Sequence, residues 1–170
     1  MSVADDGTET ARSLTEWLGQ LTFADLPEGD AATRIADSVT RWAQWQGWRV
    51  YRRAPSVFPL PPPLRGNSVI DVACARPGSP PLAIEIDRTD RQRTVDKLLA
   101  EAAAGRVAIW VRWGTGPFPP PPLPVHLVVR EASRRAGRWH TVSAAPPPPR
   151  HSGAVPSGDD VHAEELPWEM

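Results

Sequence analysis

Val69-Ile70-Asp71-Val72-Ala73 and Leu82-Ala83-Ile84-Glu85-Ile86-Asp87 read as two short strands. A helical segment from Asp90 to Ala104 follows, and then a very apolar strand, Val107-Ala108-Ile109-Trp110-Val111-Arg112-Trp113. A helix between two such strands is the crossover that parallel pairing requires. The placement of the acids carries the chemistry. Asp71 interrupts an apolar strand, and Glu85 and Asp87 stand two apart on the next. Strand side chains alternate, so Glu85 and Asp87 share one face while Ile84 and Ile86 share the other. Three carboxylates on adjacent strands are costly to bury unless a cation or hydrogen bonds offset them, which makes the arrangement a candidate divalent-metal site. Read singly, the same residues have plainer explanations. Asp71 would pair with an arginine such as Arg65 or Arg112, and Glu85 with Asp87 would form the solvent face of an amphipathic strand.

Working outward, Asp30 is the expected N-cap of a helix through Gln46, with Ile35, Val39, Trp42 and Ala43 forming its core face. Gly47 ends that helix, and Trp48 to Arg53 reads as a strand. Pro55 to Pro63 is expected to be a loop, because proline cannot donate in a ladder. Thr89 or Asp90 should cap the crossover helix, and Gly105 should supply its left-handed end. A Pro-rich connector leads from Gly114 to Pro124. Val125 to Arg130 makes a further strand, and Arg138 to Val142 an edge strand. The expectation is an α/β domain over residues 31–142, built as a small mixed central sheet flanked by helices. Residues 1–30 are expected to be a mostly flexible arm with a short helix around Ala11 to Leu21. Residues 143–170 read as a disordered, Pro-rich and acidic tail.

Composition narrows the function. The net charge is −1, so no global basic field announces a nucleic-acid binder. The single cysteine, Cys74, cannot form an intramolecular disulfide or a cysteine-based zinc site. No apolar run approaches the roughly 18 residues of a membrane span, and no signal-peptide core is present. A cytoplasmic protein without a membrane partner is expected. Trp48, Trp110 and Trp113 read as core residues among apolar neighbours, and neither His126 nor His140 has partner spacing for a metal.

Ile70-Asp71, a thirteen-residue gap and then Glu85-x-Asp87, set in an α-β-β-β-α-β order, resembles the PD-(D/E)XK nuclease superfamily over roughly Ala31 to Arg130. The resemblance implies a restriction-endonuclease-like αβββαβ core and hydrolysis of phosphodiester bonds, DNA being the expected substrate. It implies that Asp71 and Glu85 ligate Mg²⁺ or Mn²⁺ and that Ile86 adds its carbonyl, a hard oxygen set suited to those ions. It also exposes a departure: the position usually held by Lys is Asp87, which would act as an extra ligand or a base.

The missing cation has three candidates. The only lysine, Lys97, falls about 200° from Val95 on the helical wheel at 100° per residue, which points it mainly toward solvent. Arg88 and Arg91, beside the strand end bearing Asp87, are therefore preferred. The expected catalytic set is Asp71, Glu85, Asp87, Arg88 and Arg91, with Arg65, Arg88, Arg91 and Lys97 contacting phosphates. Cutting both strands of a duplex would call for a homodimer. The acidic C-terminal tail, ending Leu166-Pro167-Trp168, is a candidate peptide for a protein partner. The alternative to an enzyme is a catalytically inactive module of the same fold that binds nucleic acid or protein.

Overall fold

The computed structural model describes residues 2–142. Three helices, α1 (Val3–Gly19), α2 (Glu28–Trp45) and α3 (Gln92–Ala103), accompany six strands. These are β1 (Arg49–Pro59), β2 (Asn67–Ala75), β3 (Leu82–Asp87), β4 (Val107–Gly114), β5 (His126–Arg135) and β6 (Arg138–Thr141). The strands form one mixed sheet in sequence order. β1, β2 and β3 pair antiparallel, β3, β4 and β5 pair parallel, and β6 returns antiparallel along β5. α3 is the crossover between the parallel pair β3 and β4, as its position in the chain requires.

Helices cover both faces. On one, Leu14, Leu18, Ile35, Val39 and Trp42 pack against Ile84, Ile109, Val111 and Trp113. On the other, Val95 and Leu98 of α3 cover Ala108 and Trp110. Facing helices on both sides explain why β4 is buried along its whole length. Trp110 and Trp113 are core residues, as expected, and Trp48 is partly buried against Trp42.

The N-terminal region departs from the expected arm. α1 begins at a capping box in which Ser2 and Asp5 satisfy each other's backbone N–H groups. Leu14 and Leu18 are fully buried, so α1 belongs to the core. Reciprocal indole bonds lock it to α2: Trp17 donates to the Ser38 carbonyl at 3.0 Å, and Trp42 donates to Ser13 Oγ at 3.1 Å. A buried ion pair of 2.7 Å joins Asp6 to Arg76 after β2. A Cβ on Gly7 would collide with the His126 imidazole, so the helix is closest to β5 where it has no side chain.

Two boundaries also differ. α2 starts at Glu28 with Pro27 as its N-cap, ahead of the expected Asp30, and no side chain caps it. β1 continues through Pro55 to Pro59, where a loop was expected. Proline is tolerated because β1 is an edge strand. The register shifts between Pro55 and Pro59, and there Glu101 of α3 accepts hydrogen bonds from Val57 N (2.8 Å) and Ser56 Oγ (2.6 Å). α3 starts later than expected, with Arg91 rather than Thr89 or Asp90 at the N-cap and no side chain capping the helix. Gly105 takes the left-handed conformation expected of it, at φ 95°. No helix among the described residues is long and apolar enough to cross a membrane. The tail and its expected partner role lie outside the described residues.

Candidate active site

The site forms where the sheet splits. The β2–β3 ladder ends at Val72↔Ile84, and one step further the register sets Asp71 opposite Glu85. Instead of continuing the ladder, Asp71 Oδ2 accepts the Ile86 N–H at 2.9 Å. In a strand the N–H and C=O of one residue point to the same side, so the Ile86 carbonyl also faces this opening. On the other edge of β2, the pairs Arg52↔Val72 and Ala54↔Ile70 bracket Arg53, which falls opposite Asp71. Arg53, Asp71 and Glu85 therefore line up across three strands.

Glu85 is neither solvent-facing nor paired with an arginine. It is 4% exposed, beneath α3. Lys97 Nζ reaches it at 2.6 Å from Oε1 and also donates to the Val69 carbonyl at 2.8 Å. The solvent-facing placement expected of Lys97 is thus overturned. The helix presents Thr94, Val95, Leu98 and Glu101 to the sheet, and its buried face is centred nearer Thr94 and Glu101 than the apolar residues alone suggest. Lys97 lies about 60° from that line at 100° per residue, close enough for its long stem to run inward. The polar i, i+3, i+7 series Thr94, Lys97, Glu101 was the available signal.

Burial pushes the Glu85 carboxyl up to about 8, the neighbouring Asp71 charge adds to the rise, and the Lys97 hydrogen bond opposes it. Without a further cation, Glu85 therefore holds a proton at neutral pH. Burial and a second acid both favour the neutral form, and the Lys97 hydrogen bond offsets them only in part.

The other expected residues disperse. Asp87 does not join Asp71 and Glu85; its Oδ2 accepts the Trp110 indole N–H at 3.0 Å, and Oδ1 lies 3.9 Å from Arg91. Arg88 lies 2.9 Å from Glu28 and stacks over Trp139. Arg91 is 67% exposed and bonds Thr89. Neither Arg88 nor Arg91 reaches the carboxylate pair, so Lys97 takes the place expected of them. Arg65 is exposed in the β1–β2 turn and forms no ion pair among the described residues. Arg112 stacks on Trp110, and Asp71 pairs with neither it nor Arg65. Among the described residues, no three His, Cys, Asp or Glu side chains converge on one point. The three-carboxylate site expected from the spacing reduces to two carboxylates and a lysine. Burial pushes the Cys74 thiol up to about 12, which leaves it unreactive at neutral pH.

No known protein family, curated protein or solved structure matches the chain.

Proposed function

We propose that the chain is a metal-dependent nuclease with a restriction-endonuclease-like core, hydrolysing phosphodiester bonds in nucleic acid, with DNA the expected substrate. The observation that carries the reading is the convergence of Asp71, Glu85 and Lys97 at the split between β2 and β3. The element order α2-β1-β2-β3-α3-β4 supports the same core.

The donor set fits a hard divalent ion: two carboxylates and a carbonyl facing the same opening, with the Glu85 carboxyl pushed up by burial and by the neighbouring Asp71. Asp71, Glu85 and the Ile86 carbonyl would hold Mg²⁺ or Mn²⁺. When bound there, the ion supplies Lewis-acid charge that activates water and offsets charge on the attacked phosphate. The chain's own groups do the rest. Asp71 is fixed by the Ile86 N–H and lies against the Glu85 carboxyl, so the two acids are held together at the opening. Lys97, anchored by the Val69 carbonyl, keeps an ammonium beside Glu85 and supplies charge that the expected arginines do not. Asp87, held by Trp110, positions the strand end and is not placed to ligate.

The test is cleavage of single- and double-stranded DNA and RNA in Mn²⁺, comparing wild type with Glu85→Ala. Activity lost in the variant is the expected result. Equal background in both proteins on every substrate would move the assignment to an inactive module of the same fold.

A further inference from the structure

Two cavities adjoin the carboxylates on the α2 side. The first, about 340 Å³, is lined by Ala32, Ala36, Arg52, Arg53, Asp71 and Ile86. The second, about 220 Å³, is lined by Gly29, Ala32, Ile86, Asp87, Arg88 and Arg91, among others. Ala32 and Ile86 border both, so the two form one groove with Asp71 near its middle and arginines at each end. α2 walls it with Gly29, Ala32, Thr33 and Ala36, at the border of the face that packs the core, and Glu28 and Asp87 set carboxylates beside the arginines of the second cavity.

The arginines differ in how they are engaged. Arg52 is held by Asp37 at 3.2 Å and by Thr40, and Arg88 lies beside Glu28. Arg53 makes no ion pair or side-chain hydrogen bond among the described residues and is exposed. Its φ of 54° is a left-handed conformation rare for a side chain of this size. Such strain is retained where surrounding structure over-determines it, commonly at binding sites. Arg91 is 67% exposed and only loosely held, by a 3.3 Å bond to Thr89 Oγ1 and a 3.9 Å approach to Asp87.

We propose that this groove holds one flexible strand of nucleic acid by its backbone, with Arg53 and Arg91 gripping phosphates on opposite sides of Asp71. The inference rests on the nuclease reading and adds the form of its substrate. Each cavity is no larger than a small-ligand pocket, and α2 stands along it as a wall. A single strand threads such a channel, whereas a rigid duplex must lift its second strand over the helix. The groove offers no free aromatic platform, since Trp113 at its border is only 2% exposed. Binding is therefore through phosphates, tolerant of sequence and sensitive to salt.

The experiment is fluorescence anisotropy in EDTA, with labelled oligo-dT, oligo-rU and a DNA duplex of about 12 nucleotides, within the usual site-size range. Wild type should bind the single strands at least tenfold more tightly than the duplex, and the dT and rU arms rank the sugar. Arg53→Gln and Arg91→Gln should each weaken binding several-fold and reduce the salt slope by about 0.7, one phosphate contact on a single strand. Arg134→Gln, on exposed β5 surface, should leave both unchanged. Arg53→Gly keeps a backbone suited to φ 54° and should fold as well as wild type while losing the same contact. Duplex bound as tightly as single strand would overturn the proposal, as would unchanged slopes in the Arg53 and Arg91 variants. Neither reading depends on cleavage in this assay. Binding through the groove with no cleavage in the Mn²⁺ assay would remove the nuclease assignment alone, and Mn²⁺-dependent cleavage abolished by Glu85→Ala with indifferent arginines would remove the track alone.

Discussion

Lys97 Nζ lies 2.6 Å from Glu85 Oε1, bridging the middle of α3 to the strand that follows Asp71 in the sheet. Both side chains are largely buried, at 13% and 6% exposure. A lone buried carboxylate would be neutral, and a lone buried ammonium would tend to lose its proton. Here each justifies the other's position, and Asp71 adds a second acid on the same opening. A site with two acids and one base is short of one positive charge.

Lys97→Met should therefore lower cleavage by about 10²–10³-fold, the usual loss when one preorganised charged donor is removed from a reacting centre. Lys97→Arg should not restore it, because a planar guanidinium cannot meet both Glu85 Oε1 and the Val69 carbonyl in the same pocket. Arg88→Gln should leave kcat within a few-fold, since Arg88 faces Glu28 and Trp139. Single-turnover cleavage rates check all three. A larger loss in the Arg88 variant than in Lys97→Met would return the cationic role to the strand end.

The raised Glu85 carboxyl, at about 8, fixes the sign of a pH effect on stability. Between its ordinary value near 4.5 and about 8, the folded state holds a proton that the unfolded chain has released. Unfolding thus releases that proton, and stability falls as pH rises through this window. The slope from this group is at most about 1.4 kcal/mol per pH unit. Urea denaturation from pH 5 to pH 8.5 should show the decline, and Glu85→Gln should flatten it. An unchanged slope in the variant would assign the pH dependence elsewhere.

The same proton should be expelled when a cation enters. Mn²⁺ titration calorimetry at pH 7, repeated in two buffers of different ionisation enthalpy, should show release of close to one proton per ion. Affinity should climb with pH up to about 8 and level off above it. Glu85→Gln should abolish both binding and proton release.

Much of this frame was legible because the signals were local. Gly105 marked the end of α3, and the apolar run from Val107 to Trp113 gave a strand buried on both faces. Asp71 and Glu85 stood out as acids in strands that the core had to cover. What sequence reading lost depended on partners distant in the chain. The helical wheel of α3 was centred on its apolar residues, whereas the helix also buries Glu101 to satisfy β1 and inclines Lys97 toward Glu85. Asp87 carried the same sequence signal as Glu85 but was claimed by the Trp110 indole from β4. Arg53 looked like any other arginine, because its left-handed φ arises only where β1 passes Asp71.

α1 offers a test of the domain boundary. Leu14 is fully buried against the sheet, so Leu14→Ala should cost about 2–5 kcal/mol, as for other fully buried leucines. Gly7→Ala should also destabilise, although alanine normally favours helices, because its methyl meets the His126 ring. Denaturant midpoints measure both. A negligible effect of Leu14→Ala would mean that the first helix does not contribute to the fold.

Glu101 joins the helix of the site to the strand that carries Arg53. Its Oε1 accepts from Ser56 Oγ and Val57 N where β1 shifts register, and its Oε2 lies 3.6 Å from Arg106. Glu101→Ala leaves the buried Ser56 hydroxyl without its acceptor, at a cost of about 1–3 kcal/mol, and removes the partner of the Val57 N–H, which on an exposed residue can turn to water. Glu101→Gln keeps one carbonyl acceptor and should recover part of that loss. Because the anchor lies on the β1 side, amide exchange should accelerate along Ala54 to Phe58 in Glu101→Ala while Ile84 to Val111 stays protected. Uniform acceleration across the sheet would show that Glu101 supports the whole domain rather than this edge. If the edge alone loosens, cleavage by Glu101→Ala should suffer through substrate affinity more than through kcat, since Asp71, Glu85 and Lys97 lie on elements it leaves intact.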